Sequence, residues 1–367
     1  MKATRQLHDL GQSLWLDNIT RTLLDDGTLA RYINEDSITG LTSNPSIFDK
    51  AIGDGDAYDA GIHAKTLAGL AGEKLFIELA LEDLRRAADL FAPVYRHTDG
   101  VDGWVSMEVS PLLAADTAGS IAAARQIHAA GKRDNLFVKI PGTPEGVGAI
   151  EESIFLGIPI NVTLLFSCAQ YEASAEAYLR GIERRIAAGL DPRVRSVASL
   201  FVSRWDVAAN EQLPQAMHNQ LGIAVARQAY RAYRQLLASS RWMKLSAAGA
   251  QPQRLLWAST GTKDPNASDT LYISTLAAPN TINTVPEKTL HAFAEHGQLD
   301  GVMPLDGGDA DAVVQKIGQA GVDVDALADK LQRDGAEAFV KSWKQLLQRI
   351  ADKAAALGHK GQGPAMS

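Results

Sequence analysis

Eight short apolar or β-branched runs, separated by longer stretches with helical spacing, predict an α/β chain folded as a (β/α)8 TIM barrel with additional helices. Two further observations point the same way. The length of 367 residues suits a barrel of ~250 residues enlarged by insertions. Several of the runs also stop at a polar cluster on their C-terminal side, the end at which such a barrel assembles its functional groups. Polar residues on core strands are costly unless paired, so their repetition at equivalent places is the strongest signal in the chain.

The runs follow in order. The first, 13–16, stops at Asp17-Asn18, and the second, 37–41, stops at Thr42-Ser43-Asn44-Pro45. The third, 103–108, ends on Met107-Glu108, and the fourth, 136–140, carries Lys139 among apolar residues before a Pro-Gly turn. The fifth, 158–161, leads into Asn161-Val162-Thr163, and the sixth, 196–201, into a polar stretch from Ser199 to Arg204. The seventh and eighth are 254–258 and 281–284. Between the second and third, 57–90 has the spacing and charge content of amphipathic outer helices, as in LFIELALEDLRRAADLF. A second insert, 207–242, carries aromatic and basic residues at helical spacing (QAYRAYRQLLASSRW) and reads as packing surface rather than a nucleic-acid stripe. Residues 306–357 read as helices that extend or cover the barrel. A single domain over 1–357 is expected, with 358–367 (GHKGQGPAMS) as a flexible tail.

Composition narrows the function. Hydrophobic residues at 46% and charged residues at 22% are ordinary for a globular chain with a substantial core. The balance of 36 Lys and Arg against 43 Asp and Glu gives a net charge of −7, so the overall field does not attract polyanions and an anionic substrate requires a local basic site. Nucleic-acid and membrane partners are not expected. No apolar run approaches the ~20 residues of a membrane span, and MKATRQLHDLGQ lacks the apolar core of a signal peptide, so a cytoplasmic location is expected. Cys168 stands alone, and the eight histidines never form an HxH or HxxxH pair, so no protein-held metal is expected.

Each polar strand end has a chemical reading and a structural one. A lysine desolvated on a core strand, as Lys139 is in NLFVKIPGT, is a usual source of a nucleophilic amine; it can equally snorkel to solvent or pair with a carboxylate. Glu108 in VSMEVS and Asp17 in LWLDN can move protons for a Schiff-base aldol reaction, or serve as an ion-pair partner and a helix cap. Asn44 and Asn161 are neutral donors suited to sugar hydroxyls, although Asn44-Pro45 is also a common strand end and helix start. Thr163 can orient a water, or cap a helix starting near Leu165.

The segments LTSNPSIF, VSMEVS, LFVKIPGT, INVTLLFS and SVASLFVSRWD, in this order, resemble the transaldolases, specifically their longer bacterial form. The resemblance runs from about Asp17 to about Lys263. It implies a class I aldolase barrel without metal or organic cofactor, acting on phosphorylated sugars in the non-oxidative pentose phosphate pathway. The implied reaction carries dihydroxyacetone from sedoheptulose 7-phosphate to glyceraldehyde 3-phosphate. By motif, the Schiff-base lysine falls on Lys139 and the acid/base pair on Glu108 and Asp17. Hydrogen bonding to the bound fragment falls on Asn44 and Asn161, the water used by Glu108 on Thr163, and substrate and phosphate binding on Ser199 and Arg204. One departure is visible. Shorter transaldolases resemble one another in a Gly-Ala-Ser-Phe-Arg stretch after the seventh strand, whereas here the run is WASTGTKDP: Ser259 matches, the arginine is absent, and Lys263 is the nearest cation. An aldolase releasing free dihydroxyacetone and a catalytically silent binding barrel are the other readings; the expected state is monomer or homodimer.

Overall fold

The structure is a computed structural model and describes residues 1–299 and 301–360. Eight parallel strands form the barrel: β1 Ser13–Asp17, β2 Ile38–Thr42, β3 Val105–Glu108, β4 Leu136–Pro141, β5 Ile160–Leu165, β6 Ser196–Phe201, β7 Gln253–Ala258 and β8 Ile282–Val285. Each falls on a run expected from the sequence. The ladders run β2-β1-β8-β7-β6-β5-β4-β3. Two backbone hydrogen bonds bring the remaining edges together, from Gly103 N–H to the Thr39 carbonyl (2.8 Å) and from Leu41 N–H to the Trp104 carbonyl (2.9 Å). The strands are buried almost throughout, which is why they read as apolar runs rather than as alternation. Gly40 is required by packing, because a Cβ there would stand 2.6 Å from the Trp15 ring.

β5 departs from its expected end. It continues past Asn161 to Leu165 through a bulge between Val162 and Leu165, where Leu164 takes a φ of 59°. A bulge adds a residue and re-aims side chains, and the sequence gives no glycine to mark it.

The inserts are helical as expected. Residues 57–90 contain Asp59–Leu67 and the start of Gly72–His97, and 207–242 contain Leu221–Leu237 and the start of Ser240–Ala247. In the second insert Tyr230 and Tyr233 are buried, while Arg227, Arg231 and Arg241 pair with Asp309, Asp311 and the Glu176–Glu183 pair. These are packing surfaces with neutralised charge, not an open basic stripe. Among the described residues no helix is long and apolar enough to cross a membrane.

The Val324–Lys360 helix crosses the C-terminal end of the barrel. Near its start Gln332 donates to the Gly142 and Leu164 carbonyls, both at 3.0 Å. Further on, buried Trp343 meets Phe76 edge-on at 5.1 Å, and Arg349 and Lys353 reach Asp49 and Asp59, both at 2.6 Å. The helix includes 358–360, so these residues of the expected tail are helical; 361–367 lie outside the described residues.

Candidate functional site

Lys139 sits on β4 between two register partners, Glu108 on β3 and Asn161 on β5. Partners in a parallel ladder face the same side, so all three side chains enter the barrel together. Lys139 is 5% exposed and does not snorkel. Its Nζ lies 2.7 Å from Glu108 Oε1 and donates to the Ser43 carbonyl at 3.2 Å. The pairing alternative is thus realised, with a carboxylate that is itself a candidate acid/base group. Burial pushes the Glu108 carboxyl up from its ordinary value, with Asp17 adding to the rise and Lys139 and Arg204 opposing it.

Beside this pair a cavity of about 20 Å³ is lined by Glu108, Lys139 and Thr163, room for one water. Glu108 Oε2 and Thr163 Oγ1 are buried there without hydrogen-bond partners among the described residues. Thr163 is not a helix cap, because the next helix begins at Cys168 under a capping box made by Ser167 and Gln170.

A second cavity of about 150 Å³ shares Lys139 and collects Asp17, Asn44, Ser199, Arg204, Ser259 and Lys263. Asp17 caps no helix either; Thr20 does so for Arg21–Asp25. Its Oδ1 accepts instead from Thr42 Oγ1 at 2.9 Å. Desolvation pushes the Asp17 carboxyl up, against Lys139, the Thr42 hydrogen bond and Lys263, which draw it down. Asn44 serves both readings: Oδ1 caps the Pro45–Gly53 helix by accepting from Ile47 N–H, while the residue also borders the cavity. Ser199 donates to Asn161 Oδ1 at 2.7 Å, and Asn161 donates to Ser106 Oγ at 3.1 Å, which locks the amide's orientation.

Arg204 carries no ion pair among the described residues; burial draws its guanidinium down from its usual value, and Glu108 is the charge that opposes this. Two rings flank it, Phe201 at 5.1 Å and Phe339 at 6.0 Å. Ser259 holds a φ of 54° and meets Ser203 Oγ at 2.9 Å. Lys263 is exposed at the rim. The sequence-predicted residues other than Asn161 line two cavities that share Lys139; Asn161 lines neither, its amide being held by Ser199 and Ser106. The arrangement can supply an amine, two carboxyls whose protons are held more tightly than usual, a water position and a rim cation pair.

The family model described as transaldolase/fructose-6-phosphate aldolase matches residues 14–350. The chain belongs to this family. The transaldolase of Thermobifida fusca is 44% identical over 361 residues, covering 96% of this chain and 98% of that protein. The transaldolase of Thiobacillus denitrificans is 44% identical over 363 residues (95% and 100%), and transaldolase 2 of Nostoc punctiforme is 39% identical over 368 (95% and 96%).

In this transaldolase-family site, sequence reasoning placed Thr42 in a polar strand end without giving it a role of its own, and it missed Thr284 and Phe339. Thr42 lies inside the singled-out LTSNPS segment, but its partners stand on other strands. Phe339 lines both cavities and lies 5.9 Å from Lys139 Nζ, yet 200 residues separate the two in the chain. Nothing local marks it.

Proposed function

We propose that this transaldolase-family enzyme transfers a dihydroxyacetone unit from sedoheptulose 7-phosphate to glyceraldehyde 3-phosphate, giving erythrose 4-phosphate and fructose 6-phosphate. The observation that carries the reading is the buried Lys139–Glu108 pair, whose lysine opens on a cavity that also holds Asp17.

Lys139, once its proton has passed to a base, attacks the ketose carbonyl to form a carbinolamine. Glu108 is placed to take that proton at 2.7 Å, and its raised affinity for protons suits it to return one. Acting through a water beside Thr163, it protonates the departing hydroxyl, and the imine forms. Asp17 then takes the proton of the C4 hydroxyl, the C3–C4 bond breaks, and its electrons move into the iminium to leave an enamine. The aldose departs. Asn44 and Asn161 hold the three-carbon enamine until the acceptor aldehyde arrives; its carbonyl carbon forms the new bond, Asp17 returns the proton, and water releases the product. The phosphate is held by Arg204, with Lys263 and Ser259 at the rim; a guanidinium can bind it bidentately where the ammonium acts as a point charge. Phosphorylated sugars are intracellular metabolites, so the reading places the enzyme in the cytoplasm.

A coupled assay with both substrates tests the function. Equal yields of erythrose 4-phosphate and fructose 6-phosphate, without free dihydroxyacetone, are expected. Free dihydroxyacetone as the main product makes the protein an aldolase of the same family, and no turnover overturns the enzymatic reading.

A further inference from the structure

The proposed Schiff-base reaction requires Asp17 to change protonation state twice per turnover. It takes a proton when the carbon–carbon bond breaks and returns it when the new bond forms. A carboxylate only accepts hydrogen bonds, whereas a carboxylic acid must also donate one. Neighbours able to serve one state alone would leave the other unpaired.

The neighbours here are hydroxyls on the two flanking strands. Thr42, the register partner of Asp17 on β2, places Oγ1 2.9 Å from Asp17 Oδ1. The same oxygen lies 2.7 Å from Oγ1 of Thr284 on β8. Thr42 is 2% exposed and Thr284 3%, and both line the cavity that holds Asp17 and Lys139.

Counting protons fixes the directions. With Asp17 ionised, Thr42 donates its single proton to Oδ1, so Thr284 donates to Thr42. With Asp17 protonated on Oδ1, the chain reverses: Asp17 donates to Thr42, Thr42 donates to Thr284, and the Thr284 proton turns toward the cavity. Rotation of two hydroxyls serves both states, and such a chain is stronger than its separate bonds.

We infer that Thr42 and Thr284 form a reversible hydroxyl chain that positions Asp17 for proton transfer in both directions, a role that rests on the Schiff-base reaction at Lys139. They are positioning residues, acting through Asp17 rather than on substrate. The hydrogen bond from Thr42 also draws the Asp17 carboxyl down against the upward push of desolvation. The charged groups facing Asp17 are Lys139, Glu108 and Arg204 inside the barrel, Lys263 at the rim, and Lys50, Asp54, Asp56, Glu287 and Lys288 along a further groove that Asp17 borders. Substitutions at Thr42 and Thr284 leave all of them in place.

The test is the pH dependence of kcat for Thr42→Val, Thr42→Ser, Thr284→Val and the Val/Val double variant, with borohydride trapping on the same preparations. Thr42→Val should move the acid limb of kcat upward by roughly one pH unit and lower kcat about tenfold, the size expected when a charged group loses one hydrogen bond. Its adduct at Lys139 should still form. Thr42→Ser should restore both properties. Thr284→Val should lower kcat less, with KM unchanged, and the double variant should be no worse than Thr42→Val, because Thr284 acts only through Thr42. An unmoved limb in Thr42→Val, a serine variant as poor as the valine, or additive losses in the double variant each overturn the chain. If Thr42→Val does not fold, Thr284→Val decides: a change confined to KM overturns it. Trapping separates the two claims, since absence of an adduct in the unaltered enzyme defeats the Schiff-base reading, whereas an adduct with an unmoved limb defeats only the chain.

Discussion

Two opposing influences meet at Asp17, desolvation pushing its carboxyl up and Lys139, Thr42 and Lys263 drawing it down, and desolvation is the largest. The sign has two consequences. If Asp17 acts as the base, the acid limb of kcat lies above the ordinary aspartate value of about 4. A raised value in the fold also means that its stabilising contribution is complete below the unfolded value and is lost as pH rises through the folded one. Asp17→Asn should therefore gain in melting temperature relative to the parent between pH 3 and pH 7 while losing ~10²–10⁴ in kcat. A melting difference that runs the other way with pH contradicts the assigned direction. Arg204→Ala should raise KM strongly for phosphorylated substrates and little for unphosphorylated analogues, with some loss of kcat, since remote binding energy is also used at the reacting centre. Lys263→Ala should show the same pattern more weakly. Equal losses on both substrate classes remove the phosphate assignment. Lys139, Glu108 and Asp17 stood out in the sequence because a charged group on a buried strand is conspicuous. Position alone left their structural readings open, and their roles came from the resemblance to transaldolases. The pairing of Thr42 with Thr284 was not legible, because their contact spans 242 residues and threonine is common in strands.

The strands were legible as elements because both of their faces are buried, and continuous apolar runs bounded by polar residues survive in a single sequence. The bulge in β5 was not, because Leu164 holds its left-handed conformation under tertiary constraint rather than by residue type. Part of that constraint is the Val324–Lys360 helix, whose Gln332 amide bridges the carbonyls of Leu164 and Gly142. Replacing Gln332 with Leu keeps the volume approximately and leaves two buried carbonyls short of a donor. The expected cost is about 1–3 kcal/mol in urea denaturation, with the slope unchanged. A variant as stable as the parent shows that the helix is held elsewhere, through Trp343, Arg349 and Lys353. The helix was expected to extend or cover the barrel; that it delivers Phe339 between Lys139 and Arg204 depends on its docking angle, which no local pattern encodes.

Across the whole molecule, a net charge of −7 contrasts with one cavity that gathers Arg204, Lys263 and Lys139, the place where the proposed function needs an anion to bind. The C-terminal helix closes part of that end of the barrel, and the match to the transaldolase/fructose-6-phosphate aldolase family extends over 14–350, which includes most of that helix. All of the proposed chemistry depends on one covalent bond, and borohydride reduction in the presence of fructose 6-phosphate tests it directly. Peptide mass spectrometry should find a dihydroxyacetone-derived mass on the peptide containing Lys139, and none when Lys139 is replaced by Met. An adduct on another lysine, or no adduct under turnover conditions, would contradict the Schiff-base mechanism at Lys139.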